Sequence, residues 1–151
     1  MLLWTFLQSG ERTIDVHRSV SSDRGRVWSA PQGTGIQGQV TVPLALTSSV
    51  VIAASNHRGS PQGIQLWVSR DEASTWDSEP PVQMWDARGS RLLGQPAVDI
   101  PLASDGGVWD ELESFTFGTP DLLALQDGSV LMTYYATLMG VIHVRACRFW
   151  L

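Results

Sequence analysis

Short alternating runs of apolar residues dominate the chain, and turn-forming residues separate them. Thr13–Val20, for example, places Ile14 and Val16 on one face and Asp15 and His17 on the other. Such runs, rich in Val, Ile, Trp and Tyr, are typical of half-buried β-strands. They predict strands over residues 2–7, 13–20, 40–46, 50–55, 63–69, 82–87, 122–125, 130–135 and 140–149. No stretch predicts a helix of more than one turn, so the sequence predicts an all-β fold.

The connections between these strands are of two kinds. Asp127–Gly128 lies between two apolar runs and is a strong signal for a tight β-hairpin. Two Gly- and Pro-rich segments, Ser29–Gln39 and Asp77–Pro120, are interpreted as connections, the second with an outer strand near Val82–Ala87.

A short motif, Ser-x-Asp-x-Gly-x-x-Trp, occurs once in full and once in part. The copies stand at Ser21, Asp23, Gly25 and Trp28, and at Ser69, Asp71 and Trp76. Each matching pair is offset by 48 residues. Repeats with periods of this length are typical of propellers, solenoids or arrays.

The motif has a local physical logic. The Asp side chain accepts hydrogen bonds from nearby backbone N–H groups and closes a turn, the Gly supplies positive φ, and the Trp fills the space between neighbouring strands. In the second copy Ala73 stands where the first has Gly25. A positive φ there would strain Ala73 by roughly 1 kcal/mol, so we expect the second turn to be looser.

The strands align into a repeating four-stranded antiparallel unit. The middle unit, residues 40–87, holds a hairpin, a third strand that runs into the second motif, and a fourth strand after it. Residues 1–39 supply equivalents of the second to fourth strands, and residues 115–151 supply equivalents of the first to third. The sequence therefore predicts about three four-stranded antiparallel blades within one segment, residues 1–151.

Both motifs resemble the Asp-box, or bacterial neuraminidase repeat, of sialidase-type β-propellers. The stretch Phe117–Tyr135 also resembles the blade hairpin of that family. The resemblance implies a sialidase-like partial β-propeller. In that family the box lies on the face away from the active site, so the resemblance implies a structural role for Asp23 and Asp71.

Sialidases of this family hydrolyse a terminal sialic acid, using an arginine triad, a tyrosine nucleophile assisted by a glutamate, and an aspartate acid/base. The resemblance makes Tyr134 or Tyr135 a candidate nucleophile, Glu111 or the nearby Glu113 its helper, and Arg12 or Arg58 a carboxylate clamp. No catalytic motif of the family matches residue by residue, and the arginine motif that opens the sialidase domain is absent. No catalytic role is therefore assigned.

The substrate face of such a propeller is built in part from the loops that join second to third strands. Here these loops carry Arg12 and the polar cluster Asn56, His57 and Arg58. Aligning Val51 with Val130 brings this cluster and the Tyr134–Tyr135 pair to the same face of adjacent blades. A solvated loop is the alternative interpretation of the cluster, and one of the two tyrosines is expected to pack inward because strand neighbours alternate faces.

Composition excludes several partners. The net charge of −5 argues against nucleic acid, which needs clustered Lys and Arg. Cys147 is the only cysteine, and His17 and His143 lack metal-ligand spacing, so we expect no metal. No nucleotide or phosphate-loop fingerprint predicts a cofactor, and no apolar run is long enough to span a membrane.

A sialidase propeller has six blades, and this chain supplies about three. We expect carbohydrate as the partner, with the propeller completed either by homodimerisation or by a missing half of a longer protein. The alternative class is a non-catalytic propeller module that binds glycans or proteins. A decayed fragment without a function of its own is a third interpretation.

Overall fold

A computed structural model describes residues 2–7, 14–57, 61–76, 80–87, 117–138 and 141–151. These residues form ten β-strands. In chain order the strands are β1 Leu2–Leu7, β2 Ile14–Ser19, β3 Gln32–Gln37, β4 Thr41–Ala45, β5 Val51–His57, β6 Gly63–Ser69, β7 Val82–Asp86, β8 Phe117–Ala124, β9 Val130–Leu138 and β10 Val141–Phe149. The all-β prediction is confirmed.

The strands form three antiparallel sheets, each a simple meander in which neighbours along the chain pair with each other. The first sheet has the order β1-β2-β3, the second β4-β5-β6-β7 and the third β8-β9-β10. Among the described residues the second sheet has four strands and the first and third have three each, which agrees with the one complete and two three-stranded units that the strand alignment predicted. No sheet in the described part of the chain closes on itself.

The segment Ser29–Gln39, predicted as a connection from its composition, contains β3. The strand was not predicted because glycine has a low β-propensity. Contacts with neighbouring strands define it instead. Ile36 is fully buried, and the Thr34 hydroxyl donates a 2.6 Å hydrogen bond to the Val16 carbonyl on β2. The strand therefore forms where the repeat requires one, despite its weak intrinsic β-propensity.

Strand β8 begins at Phe117, five residues earlier than predicted. The Gly-Thr-Pro sequence that follows was interpreted as part of a connection. The pairing with β9 shifts register between Gly118 and Asp121, and Thr119 has φ of +44°. A β-bulge thus accommodates Pro120 inside the strand, as bulges commonly do.

The second sheet is packed between the other two. One of its faces forms an apolar cluster with the first sheet, made of Val16, Ile36, Val51, Ala53, Ala73 and Trp76. Its other face packs against the third sheet through residues that include Ile52, Ala54, Ile64, Leu66, Phe117, Met132 and Tyr134. Because both faces are covered, β5 is an unbroken buried run from Val51 to Asn56 rather than an alternating strand.

Candidate functional site

The aromatic contact between Trp85 and Phe117 orients the second and third sheets relative to each other. Their ring centroids lie 5.1 Å apart. Trp85 pairs with Ile64 at the beginning of β6, and Phe117 pairs with Ala136 near the end of β9. Strands β5 and β9 therefore finish at the same end of the sheets, which we call the site end.

Asn56 lies at the site end but faces inward. It is only 2% exposed, and its Oδ1 accepts a 2.5 Å hydrogen bond from the Val40 backbone N–H. Its own backbone N–H donates to the Val40 carbonyl at 3.2 Å, and its carbonyl accepts from Gln39 at 3.3 Å. These bonds hold the entry to β4 against β5, so Asn56 has a clear structural task at this position.

His57, the next residue, is half-buried at the end of β5. Its Nδ1 donates a 2.7 Å hydrogen bond to the Pro61 carbonyl across the following loop. The remaining candidates of the predicted substrate face and active site, Arg12, Arg58 and Glu111, lie outside the described residues, and their roles stay predictions.

Tyr134 points into the space between the second and third sheets and is 6% exposed. Its ring lies 6.0 Å from that of Trp85, at a tilt of 48°. Arg145 stands directly opposite it on β10. Burial raises the pKa of the Tyr134 hydroxyl, and the Arg145 guanidinium, which hydrogen-bonds that hydroxyl, only partly opposes the shift. The phenol is therefore held in its neutral form.

Tyr135 points to the opposite face of the third sheet, across from Val144. The two tyrosines therefore do not meet in one site, as expected from the alternation of strand neighbours. Of the pair, Tyr134 is the one that joins the aromatic cluster with Trp85 and Phe117.

An open depression of about 380 Å³ lies along β10. Its lining consists of Leu138, His143, Val144, Arg145 and Ala146. The depression combines two nitrogen-rich side chains, His143 and Arg145, with an apolar wall. Sequence reasoning missed Arg145, although its position opposite Tyr134 follows once the β9–β10 register is known.

Both Ser-Asp motifs lie at the other end of the sheets, and we call Ser21–Trp28 the first box and Ser69–Trp76 the second box. In the first box Asp23 Oδ1 accepts backbone hydrogen bonds from Arg26 at 3.0 Å and Val27 at 2.9 Å. The Ser21 hydroxyl donates to the same oxygen at 2.8 Å. The bond from Val27 and then that from Ser21 are the main causes that lower the pKa of Asp23.

The second box repeats this arrangement. Asp71 accepts a backbone hydrogen bond from Thr75 at 2.9 Å and hydroxyl bonds from Ser69 at 2.7 Å and Thr75 at 2.8 Å. These bonds, the backbone bond of Thr75 foremost, lower the pKa of Asp71 to about 2. Both carboxylates thus accept the hydrogen bonds that close their turns, and neither is directed at the site end.

The described residues contain no group of three or more His, Cys, Asp or Glu side chains that would hold a metal ion. Within the same ranges no helix is long and apolar enough to cross a membrane.

No protein-family model matches the chain, and no curated protein matches it. A crystal structure of a protein of unknown function from Dyadobacter fermentans DSM 18053 is similar to it, with a TM-score of 0.60 and 21% identity over 93% of this chain. This chain spans 32% of that protein's chain, about a third of its length. At that identity the similarity shows a shared fold and carries no function.

Proposed function

We propose that the chain forms part of a sialidase-like β-propeller, with one blade per sheet, and that its site end binds an acidic carbohydrate. Three meanders stacked face to face support the propeller, as do the two boxes, each of which follows the third-strand equivalent of its sheet. In a propeller, antiparallel sheets of this kind are arranged around a central channel.

The observation that carries the binding proposal is the pairing of Arg145 with Tyr134 beside the open depression. A planar guanidinium is well matched to the carboxylate of an acidic sugar, since it can donate two parallel hydrogen bonds. The volume of about 380 Å³ lies within the range of roughly 300–1,000 Å³ that is usual for ligand sites. Leu138, Val144 and Ala146 give the depression the apolar surface that such sites also require.

Binding is favoured over hydrolysis by the state of Tyr134. A tyrosine nucleophile must lose its proton, whereas burial raises the pKa of this hydroxyl. Hydrolysis by a sialidase-like glycoside hydrolase is the second candidate, favoured by the position of Tyr134 at the site end. A helper such as Glu111 would have to lower that pKa.

Isothermal titration calorimetry with a sialylated and a matched neutral oligosaccharide tests the binding proposal. We expect binding of the sialylated sugar only, with at least a tenfold loss of affinity for Arg145→Ala. Arg26→Ala, at the box end, is the matched control and should bind as the wild type does. Failure of the wild-type chain to bind any acidic sugar would contradict the proposal.

Turnover of a fluorogenic sialoside separates the two candidates. Binding without turnover supports a non-catalytic module. Turnover that disappears in Tyr134→Phe supports the hydrolase, because that substitution removes only the hydroxyl. Turnover that survives in Tyr134→Phe would exclude Tyr134 as the nucleophile.

A further inference from the structure

Equivalent residues on the three sheets differ sharply in exposure. The alignment of Val51 with Val130 makes Asn56 on β5 equivalent to Tyr135 on β9. Asn56 pairs with Ile64 on the second sheet and Tyr135 pairs with Val144 on the third. Ile64 and Val144 are therefore equivalent positions. Val16 on the first sheet is the counterpart of Ile64 at the 48-residue repeat. Val16 and Ile64 are fully buried, but Val144 is 84% exposed.

The reason is the order of the stack. Val16 is covered by the second sheet and Ile64 by the third, whereas no described residue covers the face that carries Val144. We call this surface the trailing face. It includes Leu123, Tyr135, Ile142 and Val144, of which Leu123 and Ile142 are 57% and 68% exposed. Several large apolar residues exposed on one face of a sheet are typical of an interaction surface.

At the first sheet, the opposite end of the three packed sheets, a complementary surface is exposed. Trp76 of the second box is 1% exposed and belongs to the apolar cluster that includes Val16 and Ile36 of the first sheet. Trp28 holds the equivalent position in the first box and is 43% exposed. The chain therefore presents both halves of a contact that it already makes once internally, one half at each end.

We propose that the trailing face of one copy receives the first sheet and first box of a second copy, so that Val144 and the second copy's Trp28 become buried in one interface. The internal contact between the first and second sheets is the template, since there Trp76 and Val16, the residue equivalent to Val144, are buried in one apolar cluster. A second copy fits because this chain itself carries the complementary surface. Two such head-to-tail contacts close a ring of six sheets and leave neither face open.

The proposal rests on the packing of sheets and not on carbohydrate binding. Light scattering after size exclusion tests it directly. We expect a mass of about 33 kDa, twice the 16.5 kDa of the chain. Val144→Asp and Trp28→Asp should each give the monomer with an unchanged circular dichroism spectrum, because both positions are exposed in the single chain. Val82→Asp, at a position 52% exposed outside both surfaces, is the matched control and should remain a dimer.

Mixing the two monomeric variants tests the head-to-tail geometry. The Trp28→Asp copy keeps an intact trailing face and the Val144→Asp copy keeps an intact first box, so the mixture can form one native contact. We expect its mass to rise above that of either variant alone. A monomeric wild type, masses that grow beyond the dimer, a dimer indifferent to both variants, or a mixture that stays monomeric would each overturn the proposal. The first of these results assigns the trailing face to another protein or to further sheets of a longer chain.

Discussion

Arg18 on the first sheet donates a 2.6 Å hydrogen bond to the carbonyl of Ala73 in the second box. In the first box the equivalent carbonyl, that of Gly25, accepts instead from the indole nitrogen of Trp28 at 3.0 Å. The indole nitrogen of Trp76 is buried and has no hydrogen-bond partner among the described residues. In the second box, the hydrogen bond from Arg18 of the neighbouring sheet therefore takes the place of the indole hydrogen bond that the first box makes within itself.

Replacing Arg18 by Met should destabilise the fold by about 1.5–3 kcal/mol, the usual range for a hydrogen bond that involves a charged group. The substitution keeps the apolar stem and removes the donors to Ala73 and, at 3.1 Å, to Gln32. Urea unfolding gives the free energy directly. Arg26→Met, on an exposed side chain of the first box, is the control and should change it by less than about 0.5 kcal/mol. Equal effects of the two substitutions would show that the bond between the sheets is unimportant.

The two boxes should respond differently to exchange of Gly and Ala. Gly25 has φ of +86° and Ala73 has φ of +64°, so the predicted strain at Ala73 is present. Gly25→Ala should cost about 1 kcal/mol through backbone strain alone, because its Cβ would meet Trp28 at an ordinary 3.6 Å.

Ala73→Gly should change stability by less than about 0.5 kcal/mol, since relief of strain offsets the loss of about 0.8 kcal/mol for a buried methyl group. Thermal unfolding of both variants checks the pair. A clear gain for Ala73→Gly would mean that packing of the methyl group contributes little.

Acid should destabilise the fold through the second box. The folded-state pKa of Asp71 is lowered to about 2 from its ordinary 3.8. A lowered pKa means that the folded state favours the ionised carboxylate, so its contribution is complete above the unfolded-state pKa and is lost as the pH falls from about 4 towards 2. The pKa of Asp23 is lowered as well and adds in the same direction.

Asp71→Asn should therefore be less stable than the wild type at neutral pH and approach it at pH 2. Urea midpoints measured from pH 2 to 7 would show this as a flatter profile for the variant. Parallel profiles for the two proteins would rule out Asp71 as a source of the acid sensitivity.

The two box tryptophans should differ in their contribution to the stability of a single chain. Trp76→Ala removes a ring that is 1% exposed in the cluster between the sheets and should cost about 3–5 kcal/mol. Trp28→Ala should cost about 1 kcal/mol or less, because its ring is 43% exposed. Both are measured in the Val144→Asp background, so that association of copies does not contribute. Similar costs would contradict the stacking order.

Much of the strand layout followed from local pattern. The bounds of β1 and β6 agree with the predicted ranges, and most other strands agree to within a few residues. The exceptions, β3 and the beginning of β8, contain Gly, Thr and Pro that locally resemble turns. Their pairing with β2 and β9 supplies what their own propensity lacks.

The sequence alone determined the features that depend on near neighbours: the period-two strands, and the turn of each box, whose hydrogen bonds join residues at most four positions apart. Only the tertiary structure decided which faces are buried. Trp28 and Trp76 are the same residue in the same motif, yet one is exposed and the other is buried. The pairing of Tyr134 with Arg145 likewise depended on the register of two strands. Burial and pairing are set by contacts between distant residues, and no local pattern encodes which sheet lies next to which.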